Sequence, residues 1–494
     1  MFLLDFNRFD FSNLADILRY HPNAPILFNS GLFLWLFLGF STIYVLLSPY
    51  HRAKVIFVIA FSLYFYYKSS GWYFLLLVLA TFVDYVLGWF IYDAEKVSMK
   101  RFWLVLNLFL NLGLLAYFKY TNFFYQMWCE ITAHPFDPLP IFLPVGVSFY
   151  TFQSLSYTLD IYRKEIKPVK NILDYGFFVS FFPQLVAGPI VRAKDFISQL
   201  YQPPIVTPEQ LGRAVFLIGS GLFKKVIISD YISINFVDRI FDNPSLYSGL
   251  ENLMGVYGYA LQIYCDFSGY SDMAIGIALL LGFQYPDNFN SPYQSRNIGE
   301  FWRRWHISLS SWLRDYLYIS LGGNRKGKTR MYLNLFVTMV LGGLWHGADW
   351  QFIIWGALHG GALVIHRFFR EHFSSGAYPM NGLIARLLTF HFVCFCWIFF
   401  RADSIQVVKE VILQISYHFN LAIFPQFVVG YASVLALMAL GYFLHFLPKS
   451  LEIQAESLMG KVPLIGKLAW LLMIVFWMTQ VQSSEVQPFI YFQF

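Results

Sequence analysis

Runs of about twenty apolar residues recur along this chain, and they constrain its fold more than any other feature. A helix needs about 20 such residues to cross the hydrocarbon of a bilayer. Candidate crossings lie at 31–49, 53–69, 72–92, 102–120, 141–162, 173–191, 211–235, 249–282, 303–321, 331–366, 384–400, 428–447 and 465–481. Inside lipid every backbone polar group must be satisfied within the protein. The expected fold class is therefore an all-α polytopic membrane protein. Some runs are too long or too polar for one simple span, so about ten to twelve crossings with broken or re-entrant pieces are expected.

Composition agrees. Of 494 residues, 57% are hydrophobic and only 13% are charged, whereas soluble domains carry about 25% charged residues. The net charge of +6 reads as basic cytoplasmic loops rather than nucleic-acid binding. "YHRAK" (50–54), "DAEKVSMKR" (93–101), "RKEIKPVK" (163–170) and "GGNRKGKTR" (322–330) are those loops, while 121–139 has no Lys or Arg. This pattern predicts an N-terminus outside. Three lysines in 448–467 put that loop inside and the C-terminal tail outside. The expected division is an interfacial N-terminal segment, 1–29, a transmembrane domain, 30–482, and an extracytoplasmic tail, 483–494. Leu14, Ile17 and Leu18 suggest a short amphipathic helix in the first of these. The four cysteines show no CxxC pair and no spacing shared with histidine, so no metal site is expected.

"GGNRKGKT", Gly322 to Thr329, fits the phosphate-loop pattern letter for letter. That chemistry needs a strand before the loop, a helix after it and an α/β sheet around both. Apolar spans flank it here, so a solvated basic loop is the reading. Asp84, Asp160, Asp266 and Asp272 are carboxylates within spans. Such groups serve proton- or ion-coupled transport, or pair internally. The structural pairing is the favoured reading, with transport as the rival.

Two polar segments stand out. In "SPYQSRNIGEFWRRWHISLSSWLRDYLYISLGGNR" (291–325), His306 lies among Trp302, Arg303, Arg304 and Trp305, with Asn297 just before. Read as a helix, Trp302, Trp305 and His306 share a face. In "FVTMVLGGLWHGADW" (336–350), glycines at 342, 343 and 347 surround Trp345 and His346. Irregular backbone at membrane depth survives only where protein or a wet cavity encloses it. His346 is thus expected to line a cavity and to be functional. His359, His366 and His391 lack this setting and read as structural.

These segments, with "FFPQLVAGPIVR" (181–192) and "WIFFRA" (397–402), resemble the membrane-bound O-acyltransferase (MBOAT) family. The similarity is greatest to its bacterial cell-envelope branch, which acts in alginate O-acetylation and teichoic-acid D-alanylation. It runs from about residue 50 to about 405. It implies a helical bundle around a central funnel or tunnel. It also implies an acyl thioester co-substrate, acetyl-CoA or an acyl carrier protein, entering from the cytoplasm. His346 matches the family's near-invariant histidine and His306 its second motif histidine. Trp302, Arg303, Arg304, Trp305, Asn297 and Trp345 become candidates for binding the donor or lining the tunnel. A bacterial inner-membrane location and an extracytoplasmic acyltransferase partner are implied as well.

The tail "PFIYFQF" carries Phe489-x-Tyr491-x-x-Phe494. It resembles the C-terminal motif of a small partner in the D-alanylation system, whose tyrosine is thought to carry the acyl group. The ten residues from 481 to Tyr491 reach at most about 33 Å, and half the hydrocarbon core is about 15 Å. The tail is therefore long enough to return to mid-membrane. An aromatic anchor at the interface is the other reading. The expected chemistry is acyl transfer from a thioester to a hydroxyl, with His346 as general base. Direct acylation of a lipid or protein without a relay is the alternative within that chemistry, and a non-enzymatic scaffold for envelope assembly lies outside it.

Overall fold

A computed structural model describes residues 14–22, 25–202, 205–373, 381–481 and 489. Every regular element among them is a helix. The described residues contain five segments long and apolar enough to cross a membrane: His51–Asp93, Val97–Thr132, Trp350–His372, Gly382–Arg401 and Leu464–Val481. Two bent pairs, Ile405–Tyr417 with Leu421–Gly430 at 88° and Ala432–Phe446 with Lys449–Lys461 at 91°, raise the number to seven.

That is fewer long spans than the ten to twelve crossings expected, and the remaining apolar runs show why. The run 173–191 breaks into Ile172–Ser180 and Phe182–Leu185, because Pro183 cannot donate its share of a helical ladder. The run 303–321 spreads over Ile298–Arg304, Ile307–Trp312 and the π-helical Leu313–Tyr318. The run 211–235 starts as Pro208–Leu222 and widens into π-helical Phe223–Asp230 and Ser233–Val237. Wide turns of this kind concentrate at functional sites. The short N-terminal helix is present as Leu14–Leu18. The lysine of Lys68 donates to the carbonyl of Ile17 at 2.8 Å.

The chain divides into two compact units, residues 1–214 with 274–286, and residues 215–273 with 287–494. In the first, Val147–Tyr162 is buried on nearly all sides. Asp84 is fully buried there, and one of its oxygens accepts from Asn107 and Asn111 at 2.6 Å each. Thr158 donates to Asn107 at 2.8 Å. Two amides thus replace the water that a buried carboxylate requires.

The second unit holds both motif histidines. Its core is aromatic: Trp305, Trp355, Trp397, Tyr259 and Tyr293 are all fully buried. Lys224, Lys225 and Arg401 within it are each paired with carboxylates. Lys225 pairs with Asp266 at 2.5 Å and with Asp230 at 2.8 Å, Lys224 pairs with Asp272, and Arg401 pairs with Asp238 at 2.9 Å.

Candidate active site

The helix Lys328–His346 ends at the histidine itself, and Trp350–Phe373 begins four residues later. The two helices pack through glycines. A Cβ on Gly356 would lie 2.5 Å from the Met339 carbonyl and 3.2 Å from the Gly343 Cα. One on Gly343 would lie 3.0 Å from the Gly356 Cα. Gly347 leaves space that the Phe352 ring fills. The glycines around His346 therefore do two things: they let two backbones touch, and they let an aromatic ring close over the turn. His346 is held within this hairpin, 3% exposed. Its ring stands edge-on to Trp345 at 4.9 Å, Trp355 at 5.2 Å and Phe400 at 5.2 Å.

His306 occupies a break. The helix Ile298–Arg304 stops, Trp305 is extended, and His306 adopts the left-handed conformation with φ of 43° before Ile307–Trp312 begins. A non-glycine residue pays about 1–2 kcal/mol for that region. Such strain persists only where surrounding contacts impose it, and it gathers at functional sites. The contacts here come from Asn288. Its backbone carbonyl accepts from the Ile307 amide at 2.9 Å. Its side-chain oxygen takes Nδ1 of His306 at 3.1 Å, the Ser308 amide at 3.2 Å and the Ser308 hydroxyl at 2.9 Å. Its Nδ2 donates to Ser271 at 3.1 Å. The imidazole is fully buried, with Phe267 edge-on at 4.6 Å.

The two histidines approach each other through Trp345, whose ring centroid lies 6.4 Å from His306 and 4.9 Å from His346. The other candidates divide. The shared helical face of Trp302, Trp305 and His306 is not formed, because the helix ends at Arg304. Trp302 instead donates to Nδ1 of His359 at 3.3 Å. Trp305 packs against Trp397 at 5.0 Å and Phe289 at 5.1 Å. Arg304 pairs with Glu300 at 2.8 Å, and Arg303 is exposed. Asn297 caps the helix by accepting from the Glu300 amide at 2.8 Å, an ordinary N-cap. His359 is fully buried and packs on Trp355 at 4.7 Å, directly behind the ring that meets His346.

The tail contributes one described residue, Phe489. It is fully buried, 5.6 Å from Phe267 and 4.7 Å from Tyr270 between ring centroids. Phe267 is the same ring that meets His306. Tyr491 lies outside the described residues. The loop at 322–329 has no strand before it among the described residues. Asn334 ties it down by donating to the Leu321 and Gly323 carbonyls at 3.3 and 3.2 Å. Asp84, Asp266 and Asp272 all have the internal partners expected of structural carboxylates.

A family model for membrane-bound O-acyltransferases matches residues 58–405. The chain belongs to the membrane-bound O-acyltransferase family. It is 38% identical to a peptidoglycan O-acetyltransferase of Helicobacter pylori, over 81% of each chain. It is 40% identical to a probable alginate O-acetylase of Pseudomonas aeruginosa, over 77% of this chain and 73% of that one. A teichoic acid D-alanyltransferase of Bacillus subtilis is 33% identical over 53% of this chain and 69% of its own. This membrane-bound O-acyltransferase is thus a multi-pass membrane enzyme of acyl transfer. Both motif histidines fall inside the matched residues, and Phe489 falls beyond them.

Asn288 is the site residue that the sequence reading does not reach, while His359, read as structural, is a buried packing partner of Trp302 and Trp355. Asn288 sits 18 positions before the histidine it holds, in a loop without periodicity. The i, i+4 spacing of Trp355 and His359 is the local sign that their rings share a helix face.

Proposed function

We propose that this enzyme moves an acyl group, acetyl by analogy with its O-acetylating relatives, from a cytoplasmic thioester toward a hydroxyl of an envelope polysaccharide. Acetyl-CoA or an acyl carrier protein supplies the thioester. Tyr491 takes the acyl group as an ester, and an extracytoplasmic acyltransferase passes it to the polymer. The location that fits is the bacterial inner membrane.

One observation carries this reading: Phe489, the first aromatic of F-x-Y-x-x-F, is fully buried on Phe267 and Tyr270, and Phe267 lies against His306. An interfacial anchor would leave that ring at the lipid boundary. Burial inside the unit that holds both histidines instead supports a tail brought back toward the chemistry. Tyr491 is two residues away from Phe489, about 7 Å at full extension.

In the reaction, the hydroxyl oxygen bonds to the acyl carbon as the carbon–sulfur bond breaks. The hydroxyl proton leaves through imidazole and ends on the thiolate, so thioester and hydroxyl give ester and thiol with no further reactant. Neutral His346 is the general base in this scheme. His306 orients the donor or assists the proton's movement. The buried aromatic walls keep water from the thioester, and only the acyl group crosses while carrier and polymer stay in water.

Intact-mass analysis of the C-terminal peptide from protein incubated with donor tests the reading. A mass gain equal to one acetyl group in place of the phenolic hydrogen of Tyr491, absent in Tyr491→Phe, is the expected result. Full polymer or lipid acylation by Tyr491→Phe would end the relay and leave direct transfer as the function.

A further inference from the structure

The hydrogen bonds around Asn288 decide something that position alone does not: which nitrogen of His306 carries the proton. The Ser308 backbone amide only donates, so the Asn288 atom that meets it at 3.2 Å is the carbonyl oxygen. The amide nitrogen consequently faces the Ser271 hydroxyl at 3.1 Å. His306 Nδ1 lies 3.1 Å from that same carbonyl oxygen. Two acceptors do not bond each other, and the Ser308 hydroxyl, 3.5 Å from Nδ1, turns its own hydrogen to the nearer Asn288 oxygen at 2.9 Å, so the 3.1 Å contact assigns hydrogen to Nδ1. In the neutral ring, Nε2 then holds the lone pair.

We infer that Asn288 is a positioning residue that locks His306 in the Nδ1–H tautomer, presenting Nε2 as a proton acceptor. The assignment rests on the acyl-transfer reading and sharpens it. An Nε2 lone pair does not donate a hydrogen bond to a thioester carbonyl or to a carrier's phosphate. Of the two roles open to His306, proton movement is the one this wiring serves. The proton that His346 takes from the acceptor hydroxyl has a resting place at Nε2 of His306 before it passes to the leaving thiolate, and the His306 ring returns to its starting tautomer.

The surrounding elements hold this arrangement from several sides. The Ile307 amide bonds the Asn288 carbonyl at 2.9 Å, which fixes the loop against the break. The left-handed backbone at His306 aims the next two amides at one asparagine. Asn288 is 1% exposed, Ser308 5% and Ser271 1%, so water does not compete for these bonds. Phe267 packs edge-on against the imidazole at 4.6 Å.

The test begins with the parent enzyme in nanodiscs, labelled with ¹⁵N-histidine and assigned by difference against His306→Gln. The expected His306 spectrum has a protonated Nδ1 and a non-protonated Nε2; a protonated Nε2 would overturn the inference. Acyl transfer is then compared in two variants. Asn288→Leu removes the acceptor and should lower kcat by roughly a hundredfold or more, as wrong-tautomer changes do elsewhere. Asn288→Asp keeps an acceptor for Nδ1–H and should recover most of that loss. Its negative charge favours the imidazolium, so the acid limb of its pH–rate profile should move to higher pH. Parent-like activity in Asn288→Leu, or equal loss in both variants with an unmoved profile, would refute the positioning role. His346→Ala separates the two levels. If it retains transfer, the acyl-transfer site reading falls, while the parent's tautomer still decides the claim about Asn288.

Discussion

Phe267 stands edge-on against His306, with ring centroids 4.6 Å apart and planes at 89°. The same ring also meets Phe489, at 5.6 Å. One phenylalanine therefore joins a motif histidine to the tail. Phe489→Ala should release that tail. Truncating a fully buried Phe costs about 3–5 kcal/mol, enough to lower a docking equilibrium by about a hundredfold or more. Acylation of Tyr491 should fall accordingly while membrane insertion stays normal. Phe489→Leu keeps much of the volume and should be intermediate. Unchanged Tyr491 acylation in Phe489→Ala would show that the tail reaches the donor by another route.

The two motif histidines should differ in how their loss is felt. His346→Ala should abolish envelope acylation at normal protein level, because a hydroxyl without a base is a poor nucleophile. His306→Ala removes the ring that Asn288, Phe267 and Trp345 all contact, and should cut turnover by at least about a hundredfold, within the range for general acid–base groups. Single-turnover acyl transfer in nanodiscs reads both. Near-parent rates in either variant would return that histidine to a packing role.

Breaking the Lys225 cluster should harm folding rather than a transport activity. Lys225 is 4% exposed at its side chain and serves two carboxylates, Asp230 and Asp266. Lys225→Met leaves both acids in the interior without their cation. Removing one partner of a buried pair costs about 3–5 kcal/mol. The expected readout is a lower thermal midpoint and poor recovery from membranes. Normal stability combined with a lost ion flux would revive the transporter reading.

The long apolar runs were legible in the sequence, because a span's length and composition are both local properties. Their interruptions were less so. A helical reading of 298–306 places Trp302 and His306 together, yet the chain breaks after Arg304 and sends Trp302 to His359 and His306 to Asn288. Nothing periodic marks that break; it is maintained by tertiary hydrogen bonds to a loop. His346 was easier to single out, since flanking glycines are a local sign of close backbone approach. The reason for them was not: they seat Gly356 and the Phe352 ring. Asp84, Asp266 and Asp272 were recognisable as buried charges needing partners, but which amide or lysine supplies each is a property of the fold.

The glycine contacts give a paired prediction. A Cβ on Gly356 would meet only backbone: the Met339 carbonyl at 2.5 Å, the Val340 Cα at 3.0 Å and the Gly343 Cα at 3.2 Å. None of these can swing away by changing rotamer, so the helices Lys328–His346 and Trp350–Phe373 must part. Overpacking of this kind costs about 1–3 kcal/mol. It also moves Trp355, one residue before Gly356, off the His346 ring it walls at 5.2 Å. Gly356→Ala should therefore lower both thermal midpoint and acyl transfer. Gly361 lies on the same helix with nothing within 4 Å of its would-be Cβ. Gly361→Ala should be neutral or stabilising by up to about 1 kcal/mol, since alanine favours helix over glycine, with activity intact. Equal damage from both substitutions would mean that helix flexibility, and not the backbone contact beneath His346, is what the glycines supply.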